Sequence, residues 1–202
     1  VSEAGLAKEM QIFARCFAGE FEKLKEELRK ANAVNGDETG WRINGINNWL
    51  WAFISEKTAV YAIRESRGQD VPKEILGENF EGVVTSDFHS AYLPFKKQQK
   101  CLVHLLRELK KISEKNYSEE FLRFRRSLKR LITEARLLKG SKLPKEAFER
   151  RKIQMRCRLL GIADEKYSDK DCVRLAKRLS KYNNHILRFL DHENVDWHNN
   201  SA

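Results

Sequence analysis

The chain has 202 residues and 41% of them are hydrophobic, which is enough apolar material for a substantial core and excludes wholesale disorder. No apolar run approaches the length of a membrane span, and the opening residues lack the pattern of a signal peptide. Four widely spaced cysteines, without a C-x-x-C pair, predict reduced intracellular thiols and argue against zinc fingers or a disulfide framework. Because the chain opens on Val1 in helix-like sequence, we expect it to be a piece of a longer protein.

The net charge of +10 is concentrated in one part of the chain. Residues 96–188 contain 28 Lys and Arg against 11 Asp and Glu, a local net charge of +17, so the remainder carries −7. Many of these cations are arginines, whose planar guanidinium suits phosphate contacts. This asymmetry favours a DNA or RNA partner for that region, although a solvated helical surface would have a similar composition.

Residues 1–31 predict a helix, because apolar residues recur every three or four positions along them. The stripe consists of Leu6, Met10, Phe13, Phe17, Phe21, Leu24 and Leu28. It must pack either on the main domain or on a second copy of the chain.

Strands follow over residues 37–43, 49–54 and 58–63, and Asn44-Gly45 is a strong hairpin signal between the first two. A short helix then opens near residues 68–70, tolerates a proline in its first turn and stops at Gly77, before a strand over 81–87. Three meandering strands, a helix and a further strand are the order of a ribonuclease H-like α/β core. Trp41, Trp49 and Trp51 are predicted to be core aromatics, although a base-stacking role for Trp41 is an alternative.

Residues 100–104 predict one more short strand, leading into a helix over 105–112, and everything after that reads as helical. Three predicted helices form a basic block. The first has an apolar face over 121–138, the second runs from Pro144 to Leu160 and is closed by Gly161, and the third begins with a cap at Ser168. We interpret this block as an insertion in the core. The predicted divisions are 1–32 (N-terminal helix), 33–115 (core), 116–182 (basic helical insertion) and 183–202 (return to the core).

Two acids are the sharpest candidates for chemistry. Asp37 lies in a candidate strand and Asp87 ends the apolar strand over 81–87. A carboxylate at the tip of a core strand must be paired or bind a metal, and oxygen-only ligands favour Mg²⁺ or Mn²⁺. Two such ions could serve phosphoryl transfer. The alternative is that each acid is an ordinary turn or cap residue.

Several ordered motifs resemble the IS66-family insertion-sequence transposases. They are Asp37-Glu38-Thr39-Gly40-Trp41-Arg42, Trp49-Leu50-Trp51, Ser66-Arg67-Gly68, residues 86–92, the C-x-x-H segment from Cys101 to His104, and the ending from Phe189 to Ala202. The resemblance covers roughly 37–107 and 188–202, whereas the middle helices match only in character. It implies a retroviral-integrase-like, ribonuclease H-like mixed sheet with an inserted all-helical basic lobe.

The resemblance also implies a DDE transposase in which two aspartates and a glutamate hold Mg²⁺ or Mn²⁺, two ions in the intact site. Asp37 would be the first acid and Asp87 the second. The third, a glutamate, is expected directly after Ala202, so the chain as given is expected to bind metal weakly and to cleave poorly. Asp191, Glu193 and Asp196 are weaker candidates, because they fall in a predicted loop.

DNA contacts are predicted both in the core, at the start of the helix over 105–112, and in the basic helical insertion over 116–182. His104 and Arg107 lie three apart on a helix, and either contact DNA or the metal site, or belong to the core. In the inserted block the predicted phosphate-binding residues are Arg123, Arg125, Arg126, Lys129, Arg130, Arg150, Arg151, Lys152, Arg156 and Arg158, with Arg123, Arg126, Lys129, Arg130, Arg151 and Arg158 foremost. Cys101 is predicted to lie in the core.

The predicted function is therefore Mg²⁺-dependent DNA cleavage and strand transfer by a cytoplasmic, nucleoid-associated transposase that oligomerises with copies of itself on DNA, with no membrane partner. Two alternatives stay open. One is a ribonuclease H-like, structure-selective nuclease. The other is a non-catalytic DNA-binding or assembly module from a decayed transposase.

Overall fold

The computed structural model describes residues 2–202, so Val1, at the start of the predicted helix and of the predicted division 1–32, lies outside the described residues. Seven helices, α1 to α7, and five strands, β1 to β5, occur within the described part of the chain. The elements run α1 (Glu3–Arg29), β1 (Ala33–Ile43), β2 (Ile46–Ile54), β3 (Ala59–Arg64), α2 (Asp70–Leu76), β4 (Val83–Ser86), β5 (Gln98–Lys100), α3 (Leu102–Ile112), α4 (Glu119–Lys139), α5 (Lys145–Asp164), α6 (Lys170–Lys181) and α7 (Asn183–Ile186).

The strands form one mixed sheet in the order β3-β2-β1-β4-β5. β1, β2 and β3 are an antiparallel meander, and the β1–β2 turn has Asn44 at φ 48° and Gly45 at φ 82°. Two consecutive positive φ values are the geometry that the Asn-Gly pair predicts. β4 begins beside β1, where the Val83 amide donates to the Asn32 carbonyl at 2.9 Å. The predicted mixed α/β class is confirmed by this sheet, and three meandering strands, a helix and a further strand follow one another as predicted.

The described chain divides into two compact units. The first contains the chain up to Val84, together with His89–Lys96 and Ser201–Ala202, and the second contains Thr85–Phe88 and Lys97–Asn200. The predicted divisions at 32, 115 and 182 remain predictions. None of the helices within residues 2–202 is long and apolar enough to span a bilayer.

The core of the first unit lies on one face of the meander. Since side chains alternate along a strand, Val34 of β1, Trp51 and Phe53 of β2, and Val60 of β3 share that face and are buried. Leu28 and the apolar residues of α2 pack against them. Trp41 is 47% exposed, so its prediction as a core residue is wrong: it lies near the free end of the β1–β2 hairpin, beyond the packed part of the strands.

The predicted N-terminal helix is confirmed, but most of its apolar stripe is exposed to solvent. The Ser2 hydroxyl caps α1 by accepting from the Gly5 amide at 3.2 Å. Leu28 is fully buried, whereas Leu6, Met10, Phe13 and Phe17 are 58–66% exposed. Only the C-terminal end of α1 is therefore built into the core of the first unit.

The second unit is mainly helical, and its longest helix confirms the predicted apolar face. The buried residues of α4 are Phe121, Phe124, Leu128, Leu131, Ile132, Ala135 and Leu138. Each large apolar side chain buried in this way stabilises the fold by about 1.5–3 kcal/mol. Ser118 caps α4 by accepting from the Phe121 amide at 3.2 Å, and Gly140 ends it as predicted.

Three local predictions in the second unit are wrong. The strand predicted at 100–104 lies instead at Gln98–Lys100, and the next helix starts at Leu102 because Leu102, Leu105 and Leu109 are buried at helical spacing. α5 continues through Gly161 to Asp164, since Ala163 packs in the interior. Asp169, not Ser168, caps α6. α6 ends at Lys181, and residues 183–190 form two further short helical turns.

Candidate active site

Asp37 lies in the middle of β1, on the face opposite the core of the first unit. It pairs in register with Ala52 of β2, whereas its neighbours Gly36 and Glu38 pair with the buried Phe53 and Trp51. The Asp37 side chain is held locally, because its Oδ1 accepts a hydrogen bond from the Glu38 amide at 3.1 Å. The strand therefore presents Asp37 on the less covered face with a constrained carboxylate.

Asp87 follows the last residue of β4 in the second unit. Thr85 and Ser86 before it are buried, and Asp87 itself is half-buried. The fully buried Lys100 donates from Nζ to the Asp87 carbonyl at 3.0 Å, and the Ser86 hydroxyl donates to the same carbonyl at 3.1 Å. The Lys100 ammonium also lies 5.1 Å from the centre of the Tyr182 ring, a cation–π distance. The backbone at Asp87 is thus fixed by buried groups of its own unit.

Asp37 and Asp87 therefore occupy the places that the sequence predicts, in β1 and just after β4, which are neighbouring strands of the sheet. Their donors are carboxylate oxygens, the chemistry that Mg²⁺ and Mn²⁺ prefer. Over residues 2–202, no three His, Cys, Asp or Glu side chains form a group that could hold a metal ion. Joint action of the two aspartates remains a prediction.

A buried carboxylate next to Asp37 is the main feature that the sequence reasoning missed. The Glu38 side chain is 1% exposed; its Oε1 accepts from Arg67 Nη2 at 2.9 Å and Nε at 3.1 Å, and its Oε2 accepts from the Tyr92 hydroxyl at 3.2 Å. These partners are 29 and 54 residues away along the chain. The sequence did contain a signal for this cluster, because Glu38, Arg67 and Tyr92 all lie within the motifs that resemble the IS66 family.

The C-x-x-H segment forms the start of α3. Cys101 is fully buried, which confirms its predicted place in the core. Burial raises the pKa of its thiol, but hydrogen bonds from the His104 side chain and from the backbone of His104 and Asn199 outweigh burial and lower the pKa overall. His104 is half-buried and Arg107 is exposed. The segment ties the first turn of α3 to the end of the chain, where the Leu102 amide also donates to the Trp197 carbonyl at 2.8 Å.

The predicted DNA-binding cations fall into two groups in the second unit. Arg123, Arg126 and Lys129 are exposed on one side of α4, and Arg151 is exposed on α5. Arg130 and Arg158, in contrast, both bind Glu134, the former at 2.7 Å. Hydrogen bonds from Arg158 and Arg130 lower the pKa of Glu134.

Some cations of the wider predicted set have internal partners instead. Lys152 is buried and contacts Glu149 at 2.7 Å and Asp191 at 3.1 Å, and Arg156 also binds Asp191. Arg125 is half-buried, whereas Arg150 is exposed. Asp191 therefore has two cationic partners within its unit, while Glu193 and Asp196 are exposed. The Lys152 ammonium is paired with two carboxylates of its own unit, so its predicted phosphate-binding role stays a prediction with less support from the geometry.

Comparison with known proteins gives a family match and a structural match of low similarity. The catalytic core domain of HTLV-2 integrase, solved in complex with magnesium in a trimeric form, is 13% identical and matches over 70% of this chain and 91% of its own, with a TM-score of 0.28. No curated protein matches the chain. The sequence model of the family described as "Transposase IS66 family" matches residues 1–202. The chain therefore belongs to the IS66 family of transposases.

Proposed function

We propose that this chain carries the first two acids of a DDE transposase and serves Mg²⁺-dependent cleavage and strand transfer of an insertion sequence. The observation that carries the proposal is the placement of Asp37 within β1 and Asp87 directly after β4, two neighbouring strands, in a chain of the IS66 family. In this proposal the two aspartates are metal ligands. A third, a glutamate following Ala202, comes from the family resemblance alone.

When bound, Mg²⁺ would supply activation of the attacking oxygen and stabilisation of the leaving oxygen. The residues of the chain have complementary tasks. Asp37 and Asp87 offer carboxylate oxygens at fixed backbone positions, and exposed cations of the second unit hold the DNA phosphates. Hydrolysis of one phosphodiester bond leaves a 3′ hydroxyl on the element, and this hydroxyl then displaces an oxygen of a target phosphodiester. No covalent intermediate with the protein is needed.

The proposal is tested with the intact transposase and a plasmid that carries its own insertion sequence. We expect Asp37→Asn and Asp87→Asn each to reduce strand cleavage and strand transfer by about 100-fold or more, because each removes a charged ligand and leaves a neutral isostere. Asp164→Asn is the matched control, since Asp164 is exposed at the end of α5. Full activity of either active-site variant would refute the proposal.

The same assay separates the alternatives. Cleavage without strand-transfer products would indicate a structure-selective nuclease. DNA binding without cleavage under any divalent ion would indicate a non-catalytic assembly module.

A further inference from the structure

The pleat of β1 places two adjacent acids on opposite faces of the strand. Asp37 pairs with Ala52, whereas Glu38 pairs with Trp51, which is fully buried. Glu38 therefore points to the core side of the meander, and its side chain is 1% exposed. A carboxylate placed there is costly unless charged or polar donors compensate for its lost hydration.

The compensating donors come from two segments distant in sequence. Arg67, in the loop after β3, donates twice to Oε1, and Tyr92, in the short helical turn that follows β4, donates its hydroxyl to Oε2. His89 Nδ1 lies 3.6 Å from Oε1, beyond hydrogen-bonding distance, and accepts from the Ala91 amide at 3.4 Å. Glu38 thus links β1 to both segments through charge-assisted hydrogen bonds.

The donors themselves are held rigidly. The Arg67 guanidinium stacks on the Trp49 ring at 4.2 Å. Tyr92 is fully buried, packs edge-on against Trp51 at 6.2 Å, and closely approaches Gly36 of β1. These contacts on both donors restrict where the Glu38 carboxylate can lie.

Glu38 is also bonded directly to the first candidate acid, because its amide donates to Asp37 Oδ1 at 3.1 Å. Rotation of the peptide at Glu38 would move this donor and release the Asp37 carboxylate. The short helical turn that carries Tyr92 begins at Ser90, three residues after Asp87 in the chain.

We propose that Glu38 is a positioning residue: its buried carboxylate, clamped by Arg67 and Tyr92, fixes the backbone of β1 so that Asp37 is oriented for metal binding. This inference rests on the proposed function for the role of Asp37. Glu38 does not bind the metal in this proposal, since it lies on the opposite face of the strand.

The test uses Glu38→Gln and Tyr92→Phe. Glu38→Gln removes the negative charge that pairs with Arg67, but the Arg67 side chain is 42% exposed and can be hydrated, so the fold is expected to survive. Arg67→Ala is avoided because it would leave a buried carboxylate without its cation. The matched control is Glu74→Gln, which removes another carboxylate with a bidentate arginine partner, Arg64, in the same unit but at an exposed site.

In the intact transposase, cleavage is measured against Mn²⁺ concentration. We expect Glu38→Gln and Tyr92→Phe to raise the half-saturating Mn²⁺ concentration about 10-fold, as changes behind a metal ligand do, and Glu74→Gln to leave it unchanged. A purely structural role would lower the amount of active protein without moving this concentration, and would overturn the proposal. Loss of all metal response in Glu38→Gln, as expected for Asp37→Asn, would make Glu38 a ligand and also overturn it.

A second measurement does not depend on activity. Amide hydrogen exchange of Glu38, whose N–H is bonded to Asp37, is expected to accelerate about 10-fold in Tyr92→Phe and not in Glu74→Gln. Unchanged exchange would overturn the positioning role whatever the enzyme does. A wild-type protein that cleaves no DNA would refute the proposed function, while the exchange result would still decide whether Glu38 anchors the strand.

Discussion

Gly36 shows at the scale of one residue how closely β1 is fitted to its surroundings. A Cβ atom at this position would lie 2.9 Å from Tyr92 Cε1 and 3.2 Å from the Tyr92 hydroxyl oxygen. Tyr92 is fully buried and bonded to Glu38, so it cannot move aside cheaply. We expect Gly36→Ala to destabilise the protein by about 1–3 kcal/mol through overpacking, measured by urea unfolding.

Gly40 supplies the matched control for this prediction. It lies in the same strand, and a Cβ atom there would meet nothing within 4 Å. Gly40→Ala is therefore expected to change the free energy of unfolding by less than about 0.5 kcal/mol or to increase it slightly. Equal destabilisation by the two substitutions would show that backbone freedom, and not contact with Tyr92, makes glycine necessary at position 36.

The residues around Asp37 also show what sequence reasoning could reach at this scale. Asp37 can be predicted as a candidate from the sequence, because an acid within an apolar strand must be paired or bind a metal. The role of its neighbour Glu38 could not be predicted in the same way. The register of β1 on β2 buries Glu38, and its partners lie 29 and 54 residues away along the chain, the second of them in the turn after β4. Tertiary placement of this kind leaves no local periodicity in the sequence.

At the scale of elements, the N-termini of α4 and α6 are joined through one carboxylate. Asp169 caps α6 by accepting from the amides of Asp171 and Cys172 at 2.9 and 3.1 Å. It also accepts from the hydroxyl of Ser118, the cap of α4, at 2.6 Å, and from the Asn116 side chain. Burial raises the pKa of Asp169, but these hydrogen bonds outweigh burial and lower it to about 2.

The pH dependence follows from the lowered pKa. A carboxyl group with a lower pKa in the folded state stabilises the fold above its unfolded pKa of 3.8 and loses this contribution as the pH falls towards 2. Asp169→Asn, which keeps the shape but removes the charge, is expected to cost about 1–2 kcal/mol at pH 7.

Urea unfolding between pH 7 and pH 3 checks this prediction. The deficit of Asp169→Asn should be constant at neutral pH and should shrink below about pH 4, since the wild-type carboxyl then becomes neutral as well. Asp164→Asn, at an exposed position, should show no such trend. A deficit independent of pH would assign the effect to geometry and not to charge.

Helices and turns with a clear local pattern could be predicted from the sequence, whereas a strand whose buried side chains are polar could not be placed correctly. The stripes of α1 and α4, the Asn44-Gly45 turn and the stop at Gly77 all follow from local chemistry. The strand predicted at 100–104 was misplaced relative to β5, because Gln98 and Gln99 are polar yet buried. Gln99 bonds the Ile186 carbonyl and the Phe189 amide, 87 and 90 residues away, and so replaces its lost hydration.

At the scale of the whole molecule, the net charge of +17 over residues 96–188 is less evenly available to a partner than the sequence suggests. Glu134 partly neutralises Arg130 and Arg158, and Asp191 does the same for Lys152 and Arg156. The exposed side of α4 keeps its charge: among the ion pairs of the described residues, none includes Arg123, Arg126 or Lys129. These three cations are the strongest candidates for phosphate contact.

The final prediction is that DNA binding depends on these three cations and falls steeply with salt. Each phosphate contact contributes about −0.9 to the slope of log affinity against log salt, so replacing Arg123, Arg126 and Lys129 by Ala should reduce the magnitude of the slope by about 2–3. Fluorescence anisotropy with a labelled duplex between 50 and 200 mM salt, roughly the range over which such contacts respond, measures it.

The control removes the same charge elsewhere, by replacing the exposed Lys30, Lys57 and Lys96 of the first unit by Ala. If the α4 cations contact DNA phosphates, this control should keep the wild-type slope, because only cations that contact phosphates contribute to it. Equal losses in the two triple variants would mean that total charge alone attracts DNA. Wild-type binding that does not change with salt would rule out a phosphate-binding surface on the second unit.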